Sequence, residues 1–589
     1  MKSLARPAVF SLLLAAASGQ SVAPAGSLPV KSMPGVVVMS PFEVNADDDL
    51  GYVASATLAG TRTNEKLAEL PNSISVMTAE FLSDLALNDV FDAVEFGLGA
   101  ENVYNETGVA GAPVGSRSGN QVNFRGIPSL RQLRDGFPWF LPQDSYNTEL
   151  IEFARGPAGL AYGDADPAGL INVATKRASF RRRASATVRY DNFGTQRYSI
   201  DLNQPLAPWL SVRVNALNSE VEQSRQRAHR NWRGYAGALR WLPFKDGRTR
   251  FDATYETGHL RRSLSTLQLN DATKAYLPGS GTNAPDANPS AAGVQINGIG
   301  MRRIAAPGNT RTFLDIGGVL YDMQSTATTT FRNSIVPTGS SVATGTDPQN
   351  PARHPLTPIP FSVVPEGEDW GGPDNRHDSD FHTYTLELSH SFGRHVRVLL
   401  AHNAQVDATV RPQTYSSANA LGTDTRAVFI DVNRMLPHPT LRGATIPNPR
   451  FEELFVAYAP TLHADGNRAT GWRTSAVYDT PLPFWNSAIR TVLGASDRHE
   501  QSYLDTYAFA LAREEIARRG LTGTAATYPN NLVHPVHYLA DGNSDDALRL
   551  HVEPGVTTFY RSGSSQLRFD QTLGSGMFTT LGSFFGGRL

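Results

Sequence analysis

An alternation with period two, carrying charge on the parity that would face inward, restricts the fold more than any other feature of this sequence. In Ala184-Ser185-Ala186-Thr187-Val188-Arg189-Tyr190-Asp191, one parity reads Ala, Ala, Val, Tyr and the other Ser, Thr, Arg, Asp. The pattern returns at Leu210–Ala216, Arg250–Glu256 and Thr383–Leu388, and more weakly at Trp472–Tyr478, Ala488–Ala495, Gln566–Asp570 and Met577–Phe585. Such alternation, rich in β-branched and aromatic residues, reads as half-buried strands. Arg189, Arg213, Arg250, Asp252 and Glu256 fall on what would be the inner parity. A dry sandwich core rejects unpaired charges, whereas the wet lumen of a barrel accepts them. The expected fold class is a transmembrane antiparallel β-barrel.

Two sizes of connection support this. Asp191-Asn192-Phe193-Gly194 and Lys245-Asp246-Gly247 are tight turns, while about 258–381, 407–468 and 496–555 are long and rich in Pro, Gly, Asn and Asp. Short turns alternating with long loops are the asymmetry of outer-membrane barrels. Within the last loop, Tyr507–Ile516 has helical spacing and predicts a small helix.

The N-terminus reads as a secretory leader over 1–19: Lys2 and Arg6, the apolar run Ala8–Ala17, then the small residues Ala17-Ser18-Gly19. With no cysteine, disulfides and thiolate metal sites are excluded. The 53 Lys+Arg nearly balance 55 Asp+Glu, so nothing points to nucleic acid. After the leader no apolar run approaches the roughly 20 residues of a spanning helix. Catalytic motifs are missing: there is no His-Glu-x-x-His, Gly115–Gly119 lacks nucleophile-elbow spacing, and Gly156, Gly159, Gly163 and Gly169 fit no phosphate-binding loop. His377-Asp-Ser-Asp-Phe-His382 and His534-Pro-Val-His537 have no third and fourth ligand at fixed spacing, so neither a metal nor a cofactor is expected.

Residues 50–180 have a different texture. Glu69–Phe96 gives a strand at Ser73–Met77, a helix capped by Thr78 and a second helix near Asp89–Phe96; short strands flank Gly126–Leu130. The stretch VNFRGIPSL…LRDGFPWF (Val122–Phe140), followed by TELIEFARGPAGLAYGDADPAGLINVATKRA (Thr148–Ala178), closely resembles the plug domain of TonB-dependent outer-membrane receptors, most nearly the siderophore-receptor branch. The resemblance rests on Arg125-Gly126, Arg155-Gly156-Pro157, Tyr162-Gly163, Pro167-Ala168-Gly169, Ile171-Asn172-Val173 and Thr175-Lys176 in that order. It covers about 50–260 well and the remainder only as barrel texture.

The resemblance implies an α+β plug (50–180) inside a barrel (181–589), preceded by a periplasmic extension (20–49). It implies active uptake of a scarce ligand, a ferric siderophore first, with TonB and outer-membrane lipid as partners, and no bond chemistry. Gly35–Val44 looks like a TonB box, its strand-adding part being Val36, Val37, Val38, Met39 and Ser40 before Pro41. Arg125 and Arg155 would latch the plug onto wall glutamates, with Glu256 and Glu387 as candidates; a local salt bridge inside the plug is the alternative. Glycine-rich turns would shape the plug without touching ligand. Apex residues Arg117, Arg131, Trp139 and Phe140 would offer cationic and aromatic groups to a ferric chelate, with a bland surface role open for each.

About a dozen strands are countable, where such receptors close their barrels with roughly 22. A chain truncated within the barrel is therefore expected, with open edges that a bilayer does not tolerate and no transport by these residues alone. Other readings stay open: a receptor for a glycan or another nutrient, a passive porin or autotransporter-type barrel, and a secreted β-rich protein.

Overall fold

In a computed structural model of the chain, the described residues are 51–57, 63–67, 70, 73–104, 120–129, 132–156, 169–263 and, apart from 415–426 and shorter gaps, 367–583, with short stretches between 270 and 358. The segment Val36–Ser40, the apex candidates Arg117 and Arg131, and the loop 157–168 lie outside them.

The plug begins with β1 (Ser73–Thr78), followed by helices α1 (Ala79–Asp84) and α2 (Val90–Val94). Thr78 caps α1 by accepting from the Phe81 N–H. Asp89 caps α2 in a reciprocal box, accepting from Asp92 N while the Asp92 side chain accepts from Asp89 N. Next come β2 (Ala100–Tyr104), β3 (Asn120–Phe124), β4 (Ile127–Ser129), β5 (Gln132–Arg134) and β6 (Phe137–Trp139), then β7 (Thr148–Arg155) and β8 (Gly169–Thr175). The main plug sheet runs β1-β7-β8-β5-β6, with β8–β5 parallel and the other pairs antiparallel; β2-β3-β4 form a second sheet. Strands β7 and β8 are buried on both faces, which explains their almost unbroken apolar runs. Leu82, Val90, Val94, Phe124, Ile151, Phe153 and Ile171 join them in one core.

Both hairpins, β3–β4 and β5–β6, turn on two residues with positive φ: Arg125 (52°) with Gly126 (78°), and Asp135 (50°) with Gly136 (75°). A two-residue loop with both φ positive is the primed turn whose twist matches its strands. The Arg-Gly and Asp-Gly pairs of the sequence are thus turn chemistry.

Around the plug, ten long strands form a meander among the described residues. They are β9 (Arg183–Tyr190), β10 (Gln196–Ala207), β11 (Leu210–Glu222), β12 (His229–Trp241), β13 (Thr249–Ser263), β14 (Arg376–Phe392), β15 (Val396–Gln413), β16 (Thr461–Leu482), β17 (Ser487–Leu511) and β18 (Thr557–Ser583). Each pairs antiparallel with the next, and among the described residues no pairing joins β9 to β18. The wall is therefore part of a barrel. The alternation sorts as the sequence predicts: Tyr255, Leu386, Leu388, Leu400, Trp472 and Leu493 are exposed on the outer face, while Asp252, Glu256, Thr385, Glu387, Asn403 and Gln405 are buried on the inner one.

Strand ends depart from the sequence reading. The strands β13 to β17 reach well into stretches read as loops, because their outer ends carry polar residues such as Arg261, Asp378 and Asp380 where apolar alternation fades. Tyr507–Leu511 completes β17, and the helix occupies Arg513–Arg518 instead; a buried strand rich in Ala and aromatics mimics helical spacing. The two weak runs after Gln566 are one strand, β18. Beyond the wall, Thr312–Ile316 pairs parallel with Leu532–Tyr538, and Val319–Asp322 and Leu454–Ala457 extend the same small sheet.

Gly169 opens β8 at φ +152°, and a Cβ there would sit 2.5 Å from the Ala154 carbonyl oxygen. Gly169→Ala is expected to cost the plug about 2 kcal/mol or more through backbone strain and displacement of β7. A lowered urea midpoint for the change in tryptophan fluorescence checks this; an unchanged midpoint contradicts it.

Candidate functional site: the plug–wall contact

The turns and strand ends of the plug bond to one another before they meet the wall. Glu152 of β7 is fully buried and accepts from Thr57 Oγ1 at 2.6 Å and from Asn172 Nδ2 at 2.6 Å. The carbonyl oxygen of Asn172 accepts from Gly136 N at 3.1 Å, so one amide ties β8, β7 and the β5–β6 turn together. Asp135, in that turn, accepts from Thr175 N at 3.0 Å and Thr175 Oγ1 at 2.7 Å. The Asn and Thr of the Ile-Asn-Val-Ala-Thr stretch are therefore internal fasteners of the plug sheet.

Wall carboxylates carry the contact with the plug. Glu256, in the middle of β13 and 3% exposed, accepts from three plug donors. These are the Arg134 guanidinium, Tyr146 Oη at 2.8 Å and Asn147 Nδ2 at 2.8 Å. Glu387 of β14 pairs with Arg177, which follows β8, and lies 3.6 Å from Arg473 of β16. Arg473 also donates to the Asp135 carbonyl at 2.7 Å and stands 4.8 Å over the Phe137 ring. On the neighbouring strands, Arg197 binds Asp144 through both guanidinium nitrogens, and Arg213 joins Glu149 to Asp201, which also takes Lys176 at 2.9 Å. Further pairs are Arg230 with Asp89 and Arg490 with Glu65, the latter at 3.0 Å. Planar guanidinium forks suit carboxylates in this geometry and stay charged when enclosed.

Apolar packing accompanies the charges. Trp139, Leu141 and Tyr146 of the plug pack with Leu217, Trp232, Leu260 and Phe381 of the wall. Gly234 of β12 makes room for this: a Cβ there would meet the Tyr146 hydroxyl at 2.7 Å. Its cross-strand partner is Gly258, where a Cβ would strike the Phe381 ring at 2.7 Å. The Phe140 N–H and the Pro138 carbonyl are both held by Gln405 of β15.

The arginines expected to latch the plug occupy different places. Arg155 donates within the plug, to Ser73 Oγ at 3.1 Å, Leu98 O at 2.6 Å and Ser75 Oγ at 2.7 Å. Partial burial, then the nearby positive Arg125, hold its pKa below the ordinary arginine value. Arg125 is exposed in its turn. Glu256 and Glu387 do face plug cations, but those are Arg134 and Arg177, which sequence reasoning missed. Arg134 could have been found as the residue ending a short strand directly before Asp-Gly, where its side chain leaves the sheet. Trp139, expected at the ligand, is buried in the plug–wall cluster, and Phe140 is half-buried beside it. His534 Nδ1 and His537 Nε2 are engaged by the carbonyls of Tyr458 and Gly542, and among the described residues no group of three metal-ligating side chains occurs.

Glu256→Ala leaves Arg134 enclosed without its counter-charge, an effect of about 3 to 5 kcal/mol for a buried pair. The expected outcome is faster amide hydrogen exchange in Gln132–Trp139 with exchange in β15 unchanged. Unaltered exchange at both would show that Glu256 does not hold the plug.

Residues 66–170 match the family model described as the TonB-dependent Receptor Plug Domain. The chain is 26% identical over 198 residues to the ferrioxamine receptor of Yersinia enterocolitica, and 30% identical over 192 residues to the metal-pseudopaline receptor CntO of Pseudomonas aeruginosa. Each match covers 33% of this chain, and 28% and 26% of the respective relative. In structure, it is similar to the ferripyoverdine receptor of the P. aeruginosa outer membrane, with a TM-score of 0.54 at 12% identity over 92% of this chain and 53% of that one. The chain thus spans about half the length of that solved receptor, and its match spans about a quarter of each curated relative. Residues 66–170 are thus a TonB-dependent receptor plug domain by their family match, and the fold of the chain, that plug seated in part of a strand wall, is similar to that of the ferripyoverdine receptor.

Proposed function

We propose that this chain serves an outer-membrane receptor that takes up a ferric siderophore, driven from the periplasm through TonB. The observation that carries the reading is a plug held in a polar lumen by enclosed ion pairs, above all Glu256 with its three plug donors. Two relatives, a ferrioxamine receptor and a metal-pseudopaline receptor, supply the cargo class. Proteins of this kind are transporters, and the chemistry asked of the residues is binding and release.

In this reading Val36–Ser40 adds as a strand to the periplasmic partner. The first described residues after it lead straight to the plug core. Ala56–Thr57 pairs with Glu65–Lys66, Thr57 donates to buried Glu152, and Glu65 meets Arg490 of the wall. Tension applied ahead of residue 51 would therefore load the Glu152–Asn172 fastening and a wall contact together.

Deleting Val36–Ser40 from the full-length gene is expected to abolish energy-dependent uptake of radioactive iron from ferric siderophores while leaving cell-surface binding intact. Uptake that persists after the deletion, or in cells lacking TonB, would overturn the proposal.

A further inference from the structure

Beyond the long-loop end of the wall, the small sheet built by Thr312–Ile316, Val319–Asp322 and Leu532–Tyr538 borders a cavity of about 790 Å³, within the range of small-molecule sites. Three tyrosines line it: Tyr321, Tyr458 and Tyr538. The hydroxyls of two are already committed, Tyr458 to the Trp370 carbonyl at 2.7 Å and Tyr538 to Asp431 at 2.7 Å, and both side chains are almost wholly buried, so Tyr321 is the one of the three with most surface to offer. Arg450 also lines the cavity, but Glu453 at 2.8 Å and Asp541 at 2.6 Å neutralise it, and its guanidinium lies 5.0 Å over the Tyr538 ring.

Asp315 differs from these. It lines the same cavity, is only partly exposed, and its carboxylate accepts the Gly318 N–H at 2.8 Å. Burial, with Glu553 adding to it, holds its pKa above the usual carboxylate value, against the Gly318 hydrogen bond and His551. A carboxylate so placed gains from a cation brought into the cavity, and aromatic faces favour a cation over an anion. The basic side chains Arg549 and His551 line the cavity as well, but both are exposed and can turn to water.

We propose that this cavity binds the protonated amine of an amine-bearing ferric chelate, with Asp315 as its counter-ion and Tyr321 in its wall. The inference rests on the siderophore reading above and adds the charge class of the ligand. The test uses the purified full chain and two iron(III) trihydroxamates: ferrioxamine B, which carries a free primary amine, and its N-acetyl derivative. The parent is expected to bind the amine form about ten-fold more tightly than the acetylated one. Asp315→Asn keeps an acceptor for Gly318 N–H and is expected to bind both forms as the parent binds the acetylated one. Equal affinity of the parent for the two chelates, a preference that survives in Asp315→Asn, or no binding of either, overturns the proposal. Energy-dependent uptake of ferric chelates by cells carrying the full-length gene separates the two levels. If it is intact while the preference is missing, only the amine assignment falls; if all uptake is missing, the receptor reading falls with it.

Discussion

An arginine enclosed against a glutamate is stable only while both partners remain in place, and that constraint governs how this plug and this wall exist together. Glu256 and Glu387 stand on the inner parity of β13 and β14, where water is displaced once the plug is seated. Removing either partner of such a pair leaves an uncompensated charge whose cost exceeds the net value of the intact pair. Neither the strand wall nor the plug sheet is therefore a finished structure by itself. The ion pairs add little net stability compared with an apolar seal, but they fix where each plug segment sits, since a shift of one residue along a strand moves a carboxylate to the other face.

The same logic separates two kinds of polar residue within the plug. Glu152 with Asn172 and Asp135 with Thr175 satisfy one another and fasten the strands and turn of the plug sheet together. Arg134, Asp144, Tyr146 and Arg177 look outward to the wall. The first set accounts for the Asn and Thr of the plug sequence pattern, while the second lies at strand ends and in connections where the pattern itself is less regular.

Much of this could be read from the residues. Alternation with charge on the inner parity predicted the lumen, Thr78 announced its helix as a cap, and Glu256 and Glu387 stood out as inward carboxylates. The identity of their partners was not legible. A pairing arginine depends on where a two-residue turn aims a strand end in three dimensions, and Arg125, Arg134 and Arg155 look alike in one. Strand lengths were underestimated for a related reason: the hydrophobic pattern reports only the part of a strand whose outer face is apolar. The polar outer ends of β13 to β17 are held by ladder hydrogen bonds that any side chain permits.

The facing glycines Gly234 and Gly258 have a consequence for assembly. Side chains elsewhere along β12 and β13 would keep an incoming aromatic ring at a distance, but this pair leaves a notch that admits Tyr146 on one side and Phe381 on the other. A smooth cylinder would let a stopper rotate about its axis. A keyway cut at one angular position does not, so the wall dictates the azimuth at which its contents dock.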